Sequence, residues 1–254
     1  FDETLCEQGR NFNNKIWNAF RLVQGWETTE TEQPEANKIA VEWFDAKLKA
    51  VNKEMDEQFK SYRISEVLMT VYRLFWDEFS SWYLEMIKPE YGKPIDKVTY
   101  DATLRFFNSL LKMLHPFMPF ITEELWQHIY DRKDSESIMR DELKLPAPTK
   151  DEEQLIEDIE QVKAIVGGVR TVRNQKNIAP KVELELNVIG QNNYEAYNSV
   201  IRKMANLKTI EVVTEKPSDA SGFMVGTDSF AVPVGDLIDV AAEIEKQEKE
   251  LNHL

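Results

Sequence analysis

Cysteine is almost missing from this sequence: Cys6 is the only one in 254 residues. An intramolecular disulfide and a Cys-rich zinc site are therefore excluded, and Cys6 reads as a small helical residue. Histidine is nearly as scarce, and His115, His128 and His253 are scattered. His115, followed by Pro116, reads as a helix-end residue rather than an acid or base. There is no Gly-rich phosphate loop and no His-Glu-x-x-His pair, so no metal site is expected. The adjacent acids Asp77-Glu78 and Glu123-Glu124 would point about 100° apart on a helix. They read as solvated or first-turn charges, and no catalytic residue is expected in this stretch of chain. No apolar run approaches the roughly 20 residues that span a bilayer. The opening Phe1-Asp2-Glu3 lacks the basic start of a signal peptide. The expected compartment is the cytoplasm, with no membrane partner.

Positive charge is also short. Lys and Arg number 31 against 45 Asp and Glu, for a net charge of -14. Phosphate attraction is the main sequence-independent term in nucleic-acid binding, so a generic basic binder is excluded. Any RNA contact has to use a local face set in an acidic body.

Apolar and helical patterning, by contrast, is abundant. Hydrophobic residues make up 42% of the chain, with 13 Phe, 8 Tyr and 6 Trp. Phe12, Ile16, Ala19, Phe20 and Val23 recur at helical spacing and predict a helix over 3–25. Residues 27–35 form a polar loop with Pro34. Phe44, Leu48, Val51, Met55 and Phe59 predict a second helix over 36–61. A third, over 65–88, is rich in aromatics (Tyr72, Phe75, Trp76, Phe79, Trp82, Tyr83) and stops at Pro89 and Gly92-Lys93-Pro94. A fourth covers 95–114 and breaks at Pro116 and Pro119, with Thr122 as the expected N-cap of a short helix reaching Tyr130. Long helices with short connections predict a mainly α fold, an antiparallel bundle over 1–135.

The pattern changes beyond residue 135. Residues 136–149, with Pro146-Ala147-Pro148, read as a linker, and 150–236 as a small α/β domain. That domain opens with a helix over 150–173. Val182, Leu184, Leu186 and Val188 then alternate inward against Glu183, Glu185 and Asn187 outward, a strand signature. A short helix near 192–206 and strands near 209–214, 222–226 and 229–234 follow, the last two joined by a hairpin at Gly226-Thr227-Asp228. Leu237, Ile244 and Leu251, spaced by seven, predict the start of a coiled coil over 237–254, with a plain terminal helix as the alternative. The chain opens without Met and stops within a helical pattern, so a piece of a longer protein is expected.

Two stretches carry candidate binding residues. On the first helix Arg10, Asn14, Trp17, Asn18 and Arg21 cluster opposite the apolar side, and Asn11, Lys15 and Leu22 line one shoulder. Arg and Lys suit phosphates, Asn suits base edges, and Trp or Leu packs against unstacked bases. The same residues could instead tie the helix to its neighbours through hydrogen bonds. The second stretch is 161–181, where Lys163, Arg170, Arg173, Lys176 and Lys181 occur with no intervening acid. It reads as a positive stripe or as a solvated helix face. Gly167-Gly168, inside this helix, marks close packing or a kink.

Several segments resemble valine-tRNA ligases. Gly9-Arg10-Asn11-Phe12-Asn13-Asn14-Lys15-Ile16-Trp17-Asn18-Ala19 resembles the helix that opens their anticodon-binding domain. Trp76 through Glu85 resembles the third bundle helix. His115-Pro116-Phe117-Met118-Pro119-Phe120 through Trp126 resembles a motif shared by the valine, isoleucine and leucine enzymes. Val172-Arg173-Asn174-Gln175 through Pro180 resembles the segment that follows in the valine enzymes. The resemblance covers essentially the whole chain in family order, and the lone cysteine disfavours the isoleucine enzymes, which commonly end in a Cys-rich zinc module.

The resemblance implies a class I anticodon-binding bundle, a small α/β domain and the start of a C-terminal coiled coil. It implies tRNA(Val) and an N-terminal catalytic domain of the same protein as partners, and a monomer. It places Lys15 and Leu22 against anticodon bases, with Leu84 closing the same pocket. Arg10, Asn11, Asn14, Trp17, Asn18 and Arg21 are carried over as the surrounding face. Lys163, Arg170, Arg173 and Lys176 become a secondary contact to tRNA or to the catalytic domain. ATP and Mg, used to activate valine before its transfer to tRNA, would be held by the catalytic domain, whose nucleotide signatures are not in this sequence. Asn13 and Leu22 stand where small or aromatic residues are frequent in the family, so stacking at Leu22 should be weaker than with Phe.

Overall fold

A computed structural model describes residues 3–133 and 135–235. The fold is mostly helical with a small sheet. Its contacts separate two compact units that divide after Glu157. The heptad positions Leu237, Ile244 and Leu251 lie outside the described residues.

In the first unit, α1 (Glu3–Gln24), α2 (Glu35–Lys60) and α5 (Lys97–Leu114) form where the apolar spacing places them. Phe12, Ile16, Ala19 and Val23 of α1 are buried, as are Phe44, Leu48, Val51 and Met55 of α2. The expected third helix is one continuous rod of mixed geometry: α3 (Ile64–Arg73), a π-helical stretch (Leu74–Tyr83) and α4 (Leu84–Ile87). In the π stretch, backbone bonds run from residue i to i+5, and the Leu84 N–H accordingly donates to the Phe79 carbonyl. The wider turn stacks residues four apart, with Phe75–Phe79 and Phe79–Tyr83 ring centroids both at 5.5 Å. Phe44 closes this row at 5.3 Å from Phe79 and 5.0 Å from Tyr83, and Phe106 of α5 lies 5.1 Å from Phe44. These fully buried rings are the centre of the core.

A buried polar chain fixes one end of this core. Asp96 is the N-cap of α5 and accepts from the Thr99 N–H at 2.8 Å. Its other oxygen accepts from Asn37 Nδ2 at 3.0 Å. The Tyr83 hydroxyl meets Thr103 Oγ1 at 2.8 Å, and burial, the leading cause, pushes that phenol far above its ordinary value. Two-residue strands β1 (Thr28–Thr29) and β2 (Ile95–Asp96) pair in parallel beside it, β1 within the expected polar loop and β2 where the fourth helix is expected to begin.

Two expectations are corrected here. Thr122 is not an N-cap, because α6 (Pro119–Ile129) starts earlier with Pro at its first position. A missing proline N–H costs nothing there. The Thr122 hydroxyl instead donates back to the Met118 carbonyl at 2.8 Å and pairs with His115 Nδ1 at 2.8 Å. The span 136–149 is also not free linker throughout. Ile138 is buried, Ser137 donates to Glu123 at 2.7 Å, and Asp141 pairs with Lys112 at 2.8 Å. The division between units falls later, inside α7 (Lys150–Gln175). That helix begins with a capping box, in which Glu152 accepts from the Thr149 N–H at 2.8 Å and Thr149 Oγ1 accepts from the Glu152 N–H at 3.2 Å.

The second unit packs the remainder of α7 and α8 (Asn198–Ala205) with a four-stranded sheet of order β4-β3-β6-β5. The strands are β3 (Leu184–Ile189), β4 (Leu207–Val213), β5 (Ala220–Val225) and β6 (Asp228–Pro233). β3 runs parallel to β4 and antiparallel to β6, and β5 and β6 form a hairpin. Val225 pairs with Asp228, so the turn is the two residues Gly226-Thr227, with Gly226 at φ 58. Asn187 departs from the expected alternation and is only 7% exposed. It sits on an internal strand between Glu211 and Ala231, whose neighbours shade a short side chain. Gly168 is a close-packing glycine, since a Cβ there would collide with the Phe223 ring of β5.

Candidate nucleic-acid interface

No acidic residue occurs between Glu7 and Glu27, while Arg10, Lys15 and Arg21 do. This makes α1 a local positive feature in a negative chain. Its apolar stripe is buried, so helical geometry turns the polar residues outward. Arg10, Asn11, Asn14, Trp17, Asn18, Arg21 and Leu22 are all exposed. Trp17 keeps 40% and Leu22 37% of their surfaces in solvent. Among the described residues, the side chains of Asn11, Asn14, Asn18 and Arg21 make no hydrogen bond or ion pair, and the sole charge partner of Arg10 is exposed Glu7 at 3.7 Å. The alternative reading, in which these groups tie α1 to neighbouring helices, therefore fails for the amides and for Arg21. A row of unpartnered amides at i, i+3/i+4 and i+7 with cations at both ends can hydrogen-bond base edges and phosphates.

Lys15 stands differently. It is half-buried at the shoulder of the face, and its ammonium lies 5.0 Å from the Trp76 ring centroid. Leu22 borders a cleft of about 370 Å³ whose lining includes Gly25, Trp26, Pro89, Tyr91 and Gly92. Tyr91 is fully exposed there. The sequence did not mark Trp26, Tyr91 or Trp76 as binding residues. An aromatic between Pro89 and Gly92 in a surface turn is the signal that could have marked Tyr91.

Leu84 is corrected. It is 2% exposed and packs in the core, as do Tyr83 and Met86. The stripe over 161–181 is also corrected, since its cations do not share one open face. Arg173 is 7% exposed. Its guanidinium donates to the carbonyls of Ala179 at 2.9 Å, Val182 at 2.8 Å and Ala205 at 3.2 Å. Burial draws its pKa below the ordinary guanidinium value. Lys163 is buried and pairs with Glu160 at 2.9 Å. Arg170 is exposed but donates to the Met204 carbonyl at 2.9 Å. Lys176, just past α7, is half-exposed, and Lys181 is exposed. Arg170 and Arg173 fasten α7 to the end of α8 and, through Arg173, to the segment before β3.

Among the described residues, no group of three or more His, Cys, Asp or Glu is arranged to hold a metal ion. No described helix is long and apolar enough to cross a membrane.

Residues 41–188 match the sequence model of the anticodon-binding domain of tRNA ligase. The chain is 57% identical to the valine–tRNA ligase of Phocaeicola vulgatus over 253 residues, covering 100% of this chain and 29% of that protein. It is 56% identical to that of Parabacteroides distasonis over 254 residues, again 100% of this chain and 29% of the relative. With the valine–tRNA ligase of Brucella suis biovar 1 the identity is 31% over 252 residues, 95% of this chain and 28% of that protein. The chain thus spans less than a third of the length of these relatives. The domain match begins after α1, whereas the similarity to the relatives includes it.

Proposed function

This chain belongs to the family of anticodon-binding domains of tRNA ligases, and from that premise we propose that it is the part of a valine–tRNA ligase that binds the anticodon stem-loop of tRNA(Val). The observation that carries the reading is the outward face of α1. It offers unpartnered Asn14 and Asn18, the cation Arg21, and exposed Trp17 and Leu22, over a stretch without acids. Single-stranded loops are read by hydrogen bonds to splayed bases and by stacking on apolar or aromatic surfaces, and this face supplies both. Arg10 and Arg21 serve phosphates, Asn11, Asn14 and Asn18 serve base edges, and Lys15 and Leu22 border the bases.

The whole protein, in this reading, joins valine to tRNA(Val) at the expense of ATP in the cytoplasm, as a monomer. The present chain holds no cofactor, and ATP and Mg belong to the catalytic part, its second partner. The helical unit is an antiparallel bundle of the class I kind, and residues 237–254 start a coiled coil. Net charge favours a second reading, in which the chain braces the catalytic part and binds no RNA alone, since a surface at -14 repels phosphate.

Fluorescence titration with an isolated valine anticodon stem-loop separates the two. Saturable binding is expected. Replacing Asn14 and Asn18 together by Ala should weaken it about tenfold or more, at roughly 1 kcal/mol for each lost contact, with an unchanged melting temperature. No saturable binding by the parent chain would leave only the bracing role.

A further inference from the structure

We infer that Trp76 is a positioning residue for Lys15, holding its ammonium at the RNA-facing shoulder of α1 through the indole face. The inference rests on the reading of α1 as the RNA face.

Lys15 differs from the lysines of its unit that form ion pairs. Lys47, Lys49, Lys88, Lys93, Lys97 and Lys112 each pair with a carboxylate. Lys15 makes no ion pair or side-chain hydrogen bond among the described residues. Its helical neighbours at three and four positions are Asn11, Phe12, Asn18 and Ala19, so α1 itself supplies no acid. The partner it has is Trp76, at 5.0 Å.

That ring is held from two further sides. Tyr72 stacks on it at 5.5 Å and 18°, and Phe12 lies 6.2 Å away at 29°. Phe12 is buried and also touches Tyr72 at 4.6 Å. Trp76 is thus locked between α1 and the rod that begins with α3, inside the π-helical stretch. Of the carboxylates that follow it, Glu78 is engaged by Lys47 at 3.4 Å and Asp77 is exposed.

The two kinds of partner have different consequences. A carboxylate would fix the lysine and cancel its charge. An aromatic face attracts the cation while leaving it positive. The indole thus restricts a flexible four-carbon stem, which lowers the ordering cost of binding, and keeps all three donors available to a phosphate or a base acceptor.

The test is a double-mutant cycle read by titration of the anticodon stem-loop, with melting temperatures in parallel. Lys15→Met should weaken binding. Trp76→Leu should weaken it by about three- to tenfold, and Trp76→Phe should restore part of the loss. Lys15→Met with Trp76→Leu should bind no worse than Lys15→Met alone. Trp76→Leu combined with Arg21→Ala should instead show additive losses, since Arg21 does not touch the indole. Additive losses in the Lys15 pair would overturn the inference, as would a Trp76→Leu variant that binds like the parent. If Lys15→Met binds normally while the Asn14 and Asn18 double variant does not, the α1 reading stands and this inference falls. If neither weakens binding, both fall.

Discussion

Arg173 and Arg21 show how little a residue's type says about its role. Arg173 donates to the carbonyls of Ala179, Val182 and Ala205, and the exposed Arg21 side chain makes no hydrogen bond or ion pair among the described residues. Arg173→Ala should destabilise the second unit by about 1–3 kcal/mol, because it removes three guanidinium hydrogen bonds, one of them buried, and urea melts would register it. Arg21→Ala should leave the melting curve unchanged. It should weaken RNA binding uniformly across sequences and reduce the salt dependence by about one counterion. The α1 face was legible because helical periodicity alone places Arg10, Asn14, Trp17, Asn18 and Arg21 together. The fate of Arg173 was not legible, because one of its acceptors lies 32 positions away on an element whose docking no local pattern encodes. Leu84 was placed by resemblance alone, and no periodicity argument stood behind it.

The elements differ in what sets them. α2 and α5 follow their apolar spacing, and Phe44 lies at the crossing of their rings with those of the π stretch. Phe44→Ala should cost about 3–5 kcal/mol in the first unit, and a melting temperature equal to the parent's would refute its central place. In the second unit, Gly168→Ala forces a methyl into the Phe223 ring. The expected loss is about 1–3 kcal/mol, and Phe223→Ala should relieve the clash. The start of α7 was legible in Thr149-Lys150-Asp151-Glu152 as a capping box, although the sequence reading used the Pro-rich stretch before it instead. Its tie to α2 was not legible. The Asp45 carboxylate first, and then Glu152, hold the Lys49 ammonium above its ordinary value. The Lys49 contact first, and then the Thr149 N–H, hold Glu152 below the ordinary 4.5. A carboxyl lowered on folding contributes stability that is present above its ordinary value and lost as pH falls through the lowered one. Acid melts below pH 4.5 should therefore show a flatter loss for Glu152→Gln than for the parent. Parallel acid limbs would remove this pair from the account.

On the scale of the whole molecule, the proposed function asks a chain at net -14 to recognise a polyanion through a small acid-free face. If Arg10, Lys15 and Arg21 are the cations involved, the logarithm of the binding constant should fall with that of salt at a slope of about -2, as three single-strand phosphate contacts require. A much steeper slope would reveal a larger basic surface than α1 provides. The helical unit was legible almost element by element, because each helix carries its own apolar period. The boundary between units was not, because it lies within α7, where the helical pattern continues unbroken. The most direct test of the account compares two transcripts at matched moderate salt, a valine tRNA and the same tRNA with its middle anticodon base changed. The chain should bind the altered transcript more weakly, and the Asn14→Ala, Asn18→Ala variant should reduce the difference. Equal binding to both transcripts, or to neither, would contradict the assignment of α1 as the face that reads the anticodon.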